Sequence, residues 1–156
     1  MRIVLPDAAA TERAGARLAA ALAGLPGPTV IALRGPLGAG KTTLARGLLR
    51  GLGHAGRVRS PTFTLLEPYD LADIQVAHLD LYRLSDPSEL DFLGLADLLV
   101  PGAAVVVEWP ERAGDRLPAP DLTLALNYDG AGRCLEAEAG TDAGRALAGA
   151  LRSACQ

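Results

Sequence analysis

Cysteine and long apolar runs are scarce in this sequence of 156 residues. The two cysteines, Cys134 and Cys155, have neither the number nor the spacing of a disulfide framework or a zinc site, so thiolate-bound metal is excluded. No run approaches the ~18 uninterrupted apolar residues of a membrane span, and Asp7, Glu12 and Arg13 interrupt the N-terminus before a signal-peptide core could form. We therefore expect a soluble cytoplasmic protein with no membrane segment.

Lysine is scarcer still, because Lys41 is the only lysine among fifteen basic residues. A net charge of −3 argues against a protein that mainly binds nucleic-acid backbone by itself. Residues 41–59 contain five basic residues and no carboxylate, whereas residues 67–97 contain eight carboxylates against Arg83 alone. These two stretches form either solvated faces of opposite sign or docking surfaces for a partner.

The apolar patterns predict one α/β domain over residues 1–156. Strands are predicted at 2–5, 29–33 and 103–107, with the last central in a parallel part of the sheet. Two β-hairpins are predicted, from 63–69 with 74–82 and from 122–128 with 134–139. Helices are predicted after the N-cap candidates Asp7 and Ser85, at 41–52, and from 141 onward. This order indicates a mixed, mostly parallel sheet with helices on both faces.

A glycine-rich loop between a predicted strand and a predicted helix matches G-x-x-x-x-G-K-[ST] in full. The matching residues, with the threonine that follows them, are Gly35, Pro36, Leu37, Gly38, Ala39, Gly40, Lys41, Thr42 and Thr43. Glycines let backbone N–H groups surround a polyphosphate, and the helix N-terminus adds partial positive charge. Lys41 would reach the phosphates as a compact point charge, and the Thr42 hydroxyl is a hard oxygen ligand for Mg²⁺. The motif predicts a P-loop NTPase-like fold that binds a nucleoside triphosphate.

Carboxylates at strand ends are the other expected parts of a phosphoryl-transfer site. Glu108 ends the apolar run 104–107 and is the best candidate to bind Mg²⁺, the alternative being an ordinary surface glutamate. His78, Asp80 and Tyr82 share one face of their strand. Asp80 could order the attacking water or lie near Mg²⁺, with His78 and Tyr82 holding it in place; the alternative is a solvated face of an edge strand.

Two further features are open to more than one interpretation. The segment 60–63, Ser-Pro-Thr-Phe, is either a simple turn or a loop whose hydroxyl senses the γ-phosphate as switch loops do. Trp109, the only tryptophan, is either a core residue or a flat surface near the nucleotide.

Five segments together resemble the TsaE (formerly YjeE) family of small bacterial P-loop ATPases. They are GPLGAGKTT (35–43), SPTFTL (60–65), HLDLYRL (78–84), ELDFLGL (89–95) and VEWPE (107–111). The resemblance implies an ATP- and Mg²⁺-dependent ATPase that works with the TsaB and TsaD proteins. Their shared product would be threonylcarbamoyladenosine next to the anticodon of tRNA. It also implies that the transfer occurs on TsaD, that tRNA is contacted mainly through the complex, and that ATP hydrolysis resets this complex.

The same resemblance implies roles for individual residues. Lys41 and the surrounding backbone would bind phosphates, Thr42 and Glu108 would bind Mg²⁺, and Asp80 would be catalytic. Thr62 would belong to a switch-like loop. Thr11 and Arg133 would border the nucleotide. The chain departs from the family at Pro36, where an aspartate is usual, so the resemblance assigns no carboxylate near the γ-phosphate at this position.

Three rival functions need different features. A small-molecule P-loop kinase needs an acceptor pocket and an arginine-rich lid, for which only Arg112 and Arg116 are available. A guanine-specific GTPase needs an N-K-x-D motif, which the sequence lacks. In a nucleotide-dependent assembly factor with negligible turnover, ATP would only stabilise a docking surface.

Overall fold

The structure, a computed structural model, describes residues 1–61 and 63–152. Within this part, seven β-strands, β1 to β7, span Arg2–Leu5, Thr29–Arg34, Leu66–Asp70, Gln75–Asp80, Ala103–Glu108, Leu122–Asp129 and Gly132–Ala139. Four α-helices in the same ranges, α1 to α4, span Ala8–Ala23, Lys41–Gly51, Leu95–Leu98 and Asp142–Arg152. Two 3₁₀ helices span Pro87–Phe92 and Pro110–Ala113. Thr62 and Cys155 lie outside the described residues.

All seven strands form one sheet in the order β1-β7-β6-β2-β5-β4-β3. The four central strands, β6, β2, β5 and β4, pair in parallel. The β3–β4 and β6–β7 pairs are antiparallel hairpins, and β1 pairs antiparallel with β7 at one edge. The predicted mixed sheet, both hairpins and the central parallel position of β5 are therefore confirmed.

The two faces of β5 pack against different layers. Ala104 and Val106 belong to a large core that includes the apolar faces of α1, α2 and α4. Val105 and Val107 belong to a second cluster, which contains Leu90 of the first 3₁₀ helix and the half-buried apolar residues of α3. The run 103–108 is buried throughout because helices or loops cover both faces of this strand. None of the helices in the described part is both long and apolar enough to cross a membrane.

The close approach of α1 and α2 brings the phosphate loop beside the first helix. Asp7 caps α1 as predicted, its side chain accepting a hydrogen bond from the N–H of Ala10 at 2.8 Å. Further along α1, a Cβ atom on Gly15 would overlap the backbone carbonyl of Leu44 in α2. Only glycine fits at this crossing without moving one helix.

The short helix predicted after Ser85 is present as the 3₁₀ helix Pro87–Phe92, but the prediction of Ser85 as its N-cap is wrong. Asp86 is the cap, and its carboxylate accepts from the N–H of Ser88 at 2.9 Å. Pro87 disfavours helical geometry in the residue before it, so Asp86 is extended and the turn starts one residue later than predicted. Gly94, with a φ of 69°, then separates this 3₁₀ helix from the short α3.

Candidate nucleotide site

The phosphate loop, residues 35–42, connects the end of β2 to the start of α2. Gly35 has a φ of 144°, and a Cβ atom there would overlap the carbonyl oxygen of Leu126 in β6. Gly40 precedes α2 with a φ of 107° and has no side chain to cap the helix, so no cap side chain competes with a ligand for the N–H groups at the start of α2. The backbone therefore has the shape and polarity of an anion-binding loop.

Lys41 lies inside this loop and is only 4% exposed. Its Nζ donates hydrogen bonds to the carbonyl oxygens of Gly35 at 2.6 Å and Pro36 at 3.0 Å, and lies 4.2 Å from the centre of the Trp109 ring. Burial lowers the pKa of Lys41, an effect that the negative charges of Glu108 and Asp80 oppose. Pro36 contributes its carbonyl here, so its missing N–H does not affect these contacts.

Glu108 accepts hydrogen bonds from two different elements. The hydroxyl of Thr42, at the start of α2, lies 3.1 Å from both carboxylate oxygens. The Nε2 atom of His78 in β4 lies 2.7 Å from Oε2 of the same group. Glu108 is 3% exposed, so the interpretation as an ordinary surface glutamate is wrong.

His78 contacts a different carboxylate from the one that the sequence suggested. Its side chain contacts Glu108 rather than Asp80, so the prediction that His78 holds Asp80 in place is wrong. The alternative of a solvated edge strand is also wrong, because β4 lies between β5 and β3 and His78 is fully buried. The Nδ1 atom of His78 has no hydrogen-bond partner in the described part of the chain.

Asp80 ends β4 directly opposite Glu108 in the parallel β4–β5 register. Its Oδ1 accepts a hydrogen bond from the backbone N–H of Tyr82 at 3.0 Å, and its Oδ2 accepts from the hydroxyl of Ser60. Tyr82 thus holds the carboxylate through its backbone, while its ring packs against Trp109 with 5.0 Å between centroids. Ser60 belongs to the segment 60–63, so the described part of that segment touches a site carboxylate.

Two cavities flank the phosphate loop. The first has a volume of about 280 Å³, and its lining includes Lys41, Thr42, Asp80, Glu108 and Trp109. Trp109 is therefore a flat wall of the site, as one of the two interpretations of the sequence has it, and its half-buried ring also packs against the second apolar cluster.

The second cavity, of about 170 Å³, lies between the loop, α1 and the β6–β7 hairpin. Its lining includes Thr11, Thr43 and Arg133, the last of which donates to the carbonyl of Gly38 at 3.2 Å. The hydroxyl of Tyr128 also donates to the carbonyl of Leu37, at 2.6 Å. The hairpin thus braces the phosphate loop from the side opposite Glu108. Gly38, Gly40 and Thr43 line both cavities, so one extended ligand could occupy both.

Sequence reasoning missed the contacts of Ser60, Tyr128 and His78. No local signal marks Tyr128 as a brace, because its partner Leu37 is 91 residues away in the chain. The Ser-Pro-Thr-Phe segment at 60–63 is the local signal that points to Ser60. Thr62 itself lies outside the described residues.

The sequence matches one protein family and several of its named members. The family model described as threonylcarbamoyl adenosine biosynthesis protein TsaE matches residues 5–135. The tRNA threonylcarbamoyladenosine biosynthesis protein TsaE of Haemophilus influenzae is 43% identical over 122 residues, which cover 78% of this chain and 77% of that protein. The protein of the same name from Synechocystis is 44% identical over 116 residues, covering 72% and 71%.

A solved structure extends the likeness to the fold. The crystal structure of YdiB from Bacillus subtilis matches with a TM-score of 0.75 and 25% identity, covering 100% of this chain and 96% of that one. The matched family model spans the phosphate loop, both site carboxylates and Arg133. This chain therefore belongs to the TsaE family of threonylcarbamoyl adenosine biosynthesis proteins.

Proposed function

We propose that this protein binds ATP with Mg²⁺ and hydrolyses the ATP as a subunit needed for threonylcarbamoyladenosine modification of tRNA. It acts in the cytoplasm with TsaB and TsaD, and tRNA is contacted mainly through the complex. The names of the relatives support the pathway. The single observation that carries the hydrolytic role is the convergence of Lys41, Thr42, Asp80 and Glu108 on one cavity at the phosphate loop.

The residues present fit ATP and Mg²⁺. Thr42 and Glu108 offer hydroxyl and carboxylate oxygens, which are the hard ligands that Mg²⁺ prefers. The Thr42 hydroxyl donates its hydrogen to Glu108, so an oxygen lone pair stays available for the cation. When bound, Mg²⁺ supplies charge neutralisation at the phosphate oxygens. The loop N–H groups and the Lys41 ammonium supply the remaining positive field.

Asp80 is the group best placed to act on water. Its two oxygens accept from Ser60 and from the backbone of Tyr82, which fixes the carboxylate at the cavity wall. A fixed carboxylate can orient an attacking water molecule and accept its proton. Thr62, two positions after Ser60 in the sequence, would contribute to a switch-like response, as the family resemblance implies.

The second cavity suits the nucleoside end of ATP. Thr11 and Arg133 line it, and Thr43 lies between it and the phosphate end. The ring of Tyr128 lies 4.4 Å from the guanidinium of Arg133, which limits the freedom of that side chain. We assign Thr11 and Arg133 to nucleotide binding and not to catalysis.

The test is a reconstitution with purified TsaB and TsaD from the same organism. Phosphate release from ATP is measured for this protein alone, for the partners alone, and for all three together with Mg²⁺, and modified tRNA is measured in parallel. We expect turnover in the full mixture and its loss in Lys41→Met, with tRNA modification lost as well. Phosphorylation of a small acceptor would point to a kinase instead. Nucleotide binding and tRNA modification without hydrolysis would point to the assembly-factor alternative.

A further inference from the structure

The imidazole of His78 contacts the metal-binding carboxylate assigned above, yet it has no part in the function proposed so far. It is fully buried, with Nε2 at 2.7 Å from Oε2 of Glu108. In the β4–β5 register His78 lies opposite Val106, two residues before the level of Asp80 and Glu108. His78 therefore shares a strand face with both carboxylates but lies deeper in the sheet.

The hydrogen-bond network assigns one tautomer to His78. With the proton on Nε2, the ring donates to the carboxylate, and the lone pair of Nδ1 faces no partner among the described residues. With the proton on Nδ1, the lone pair of Nε2 would face a carboxylate oxygen, and a buried N–H would have no acceptor. A buried polar atom left without a partner calls for an explanation, because such atoms are uncommon in native proteins.

The other contact of Glu108 cannot orient the carboxylate by itself. The Thr42 hydroxyl has one hydrogen and lies at the same distance, 3.1 Å, from both oxygens. This symmetric arrangement does not distinguish one carboxylate oxygen from the other. Only the His78 contact is asymmetric, because it reaches Oε2 alone. Oε1 is left with Thr42 as its hydrogen-bond donor in the described structure.

We propose that His78 is a positioning residue for the divalent cation: its Nε2–H fixes Oε2 of Glu108 so that the carboxylate is oriented for metal before the cation arrives. The inference rests on the proposed function, because it requires Glu108 to be a metal ligand. Partners of metal ligands commonly change metal affinity by about 10–100-fold when they are removed. His78 does not itself line the nucleotide cavity and reaches it only through Glu108, so nucleotide affinity without metal should not depend on it.

The experiment measures binding instead of turnover. The affinity for a non-hydrolysable ATP analogue is measured by calorimetry in EDTA and over a Mg²⁺ titration, for wild type, His78→Phe and His78→Gln. Phe fills the space without a donor, whereas the Gln amide can place an N–H near the position of Nε2. In His78→Phe we expect the Mg²⁺ concentration for half-maximal enhancement to rise about 10–100-fold, with affinity in EDTA unchanged. In His78→Gln we expect most of the Mg²⁺ response to return.

Three results would overturn the inference. They are a wild-type Mg²⁺ response in His78→Phe, an equal loss of affinity in EDTA and in Mg²⁺, and a failure of Gln to restore the response. If His78→Phe does not fold, His78→Leu replaces it in the comparison with His78→Gln. A wild-type protein whose nucleotide affinity ignores Mg²⁺ would instead contradict the metal assignment of Thr42 and Glu108, which is a failure of the proposed function.

Discussion

Replacing Lys41 by methionine tests the phosphate site most directly. The Lys41 ammonium is buried, and this burial lowers its pKa. Most of the free-energy penalty for desolvating the ammonium is therefore incurred during folding and not during ATP binding. A pair of unit charges about 4 Å apart at an effective dielectric constant of 20 is worth about 4 kcal/mol. Because 1.4 kcal/mol corresponds to a factor of ten, Lys41→Met should weaken ATP binding roughly a thousandfold.

Calorimetry with a non-hydrolysable ATP analogue measures this loss, and two controls isolate its cause. Arg46→Met removes the same charge from the same helix but from a residue outside both cavity linings, so it should bind like wild type. AMP lacks the β- and γ-phosphates, so its weaker affinity should be the same in Lys41→Met and wild type. The emission of Trp109, the only tryptophan, gives an independent signal because its ring lies 4.2 Å from Nζ. Near-normal binding of the analogue by Lys41→Met, or an equal loss of AMP binding, would refute this reasoning.

Three further variants test the Mg²⁺ ligand Glu108, the proposed base Asp80 and the helix contact at Gly15. Glu108→Gln removes the carboxylate charge but keeps the side-chain shape, so Mg²⁺-dependent phosphate release should disappear; unchanged hydrolysis would refute the metal assignment. Asp80→Asn keeps one oxygen that can accept from the backbone N–H of Tyr82, and its amide nitrogen can donate to the Ser60 hydroxyl, but the variant removes the base, so turnover should fall while calorimetric nucleotide affinity stays the same. An equal loss of both would show a structural role instead. Gly15→Ala forces a Cβ atom against the α2 backbone, so thermal unfolding should show a loss of about 1–3 kcal/mol. In the control Gly149→Ala on α4, the added Cβ atom meets no atom within 4 Å and should not destabilise the protein.

Much of the fold could be predicted because the deciding signals are local. Alternation at 122–128 and 134–139 marks two strands, and Asp129-Gly130 between them marks the turn, so the second hairpin needed no tertiary information. The apolar run at 103–107 is too hydrophobic for a half-exposed strand, which placed β5 centrally. The segment after Leu84 was mispredicted because Pro87 and Gly94 divide a leucine pattern that resembles one helix.

The phosphate loop of the candidate site could be predicted, but the contacts between the side chains around it could not. A phosphate loop needs its glycines, lysine and threonine within a few residues, so the residues themselves identify it. The contacts of His78 and Asp80 depend on which strand lies beside β4 and in which register, and no local pattern encodes that. Sequence spacing suggested that His78 supports Asp80 because they are neighbours on one strand face. Because β4 pairs in parallel with β5, His78 instead lies next to Glu108, which is 30 residues away in the chain.

The sequence by itself determined that this chain has a nucleotide phosphate loop, because backbone wrapping and a point charge require particular residues at fixed short spacing. It also determined the order of strands and helices, because side-chain periodicity reflects the geometry of each element. Only the tertiary structure decided which groups meet. The strand order brings Asp80 and Glu108 to the same end of adjacent strands, and the β6–β7 hairpin brings Tyr128 and Arg133 against the phosphate loop. These contacts join residues far apart in the chain, so their geometry exists only once the sheet has formed.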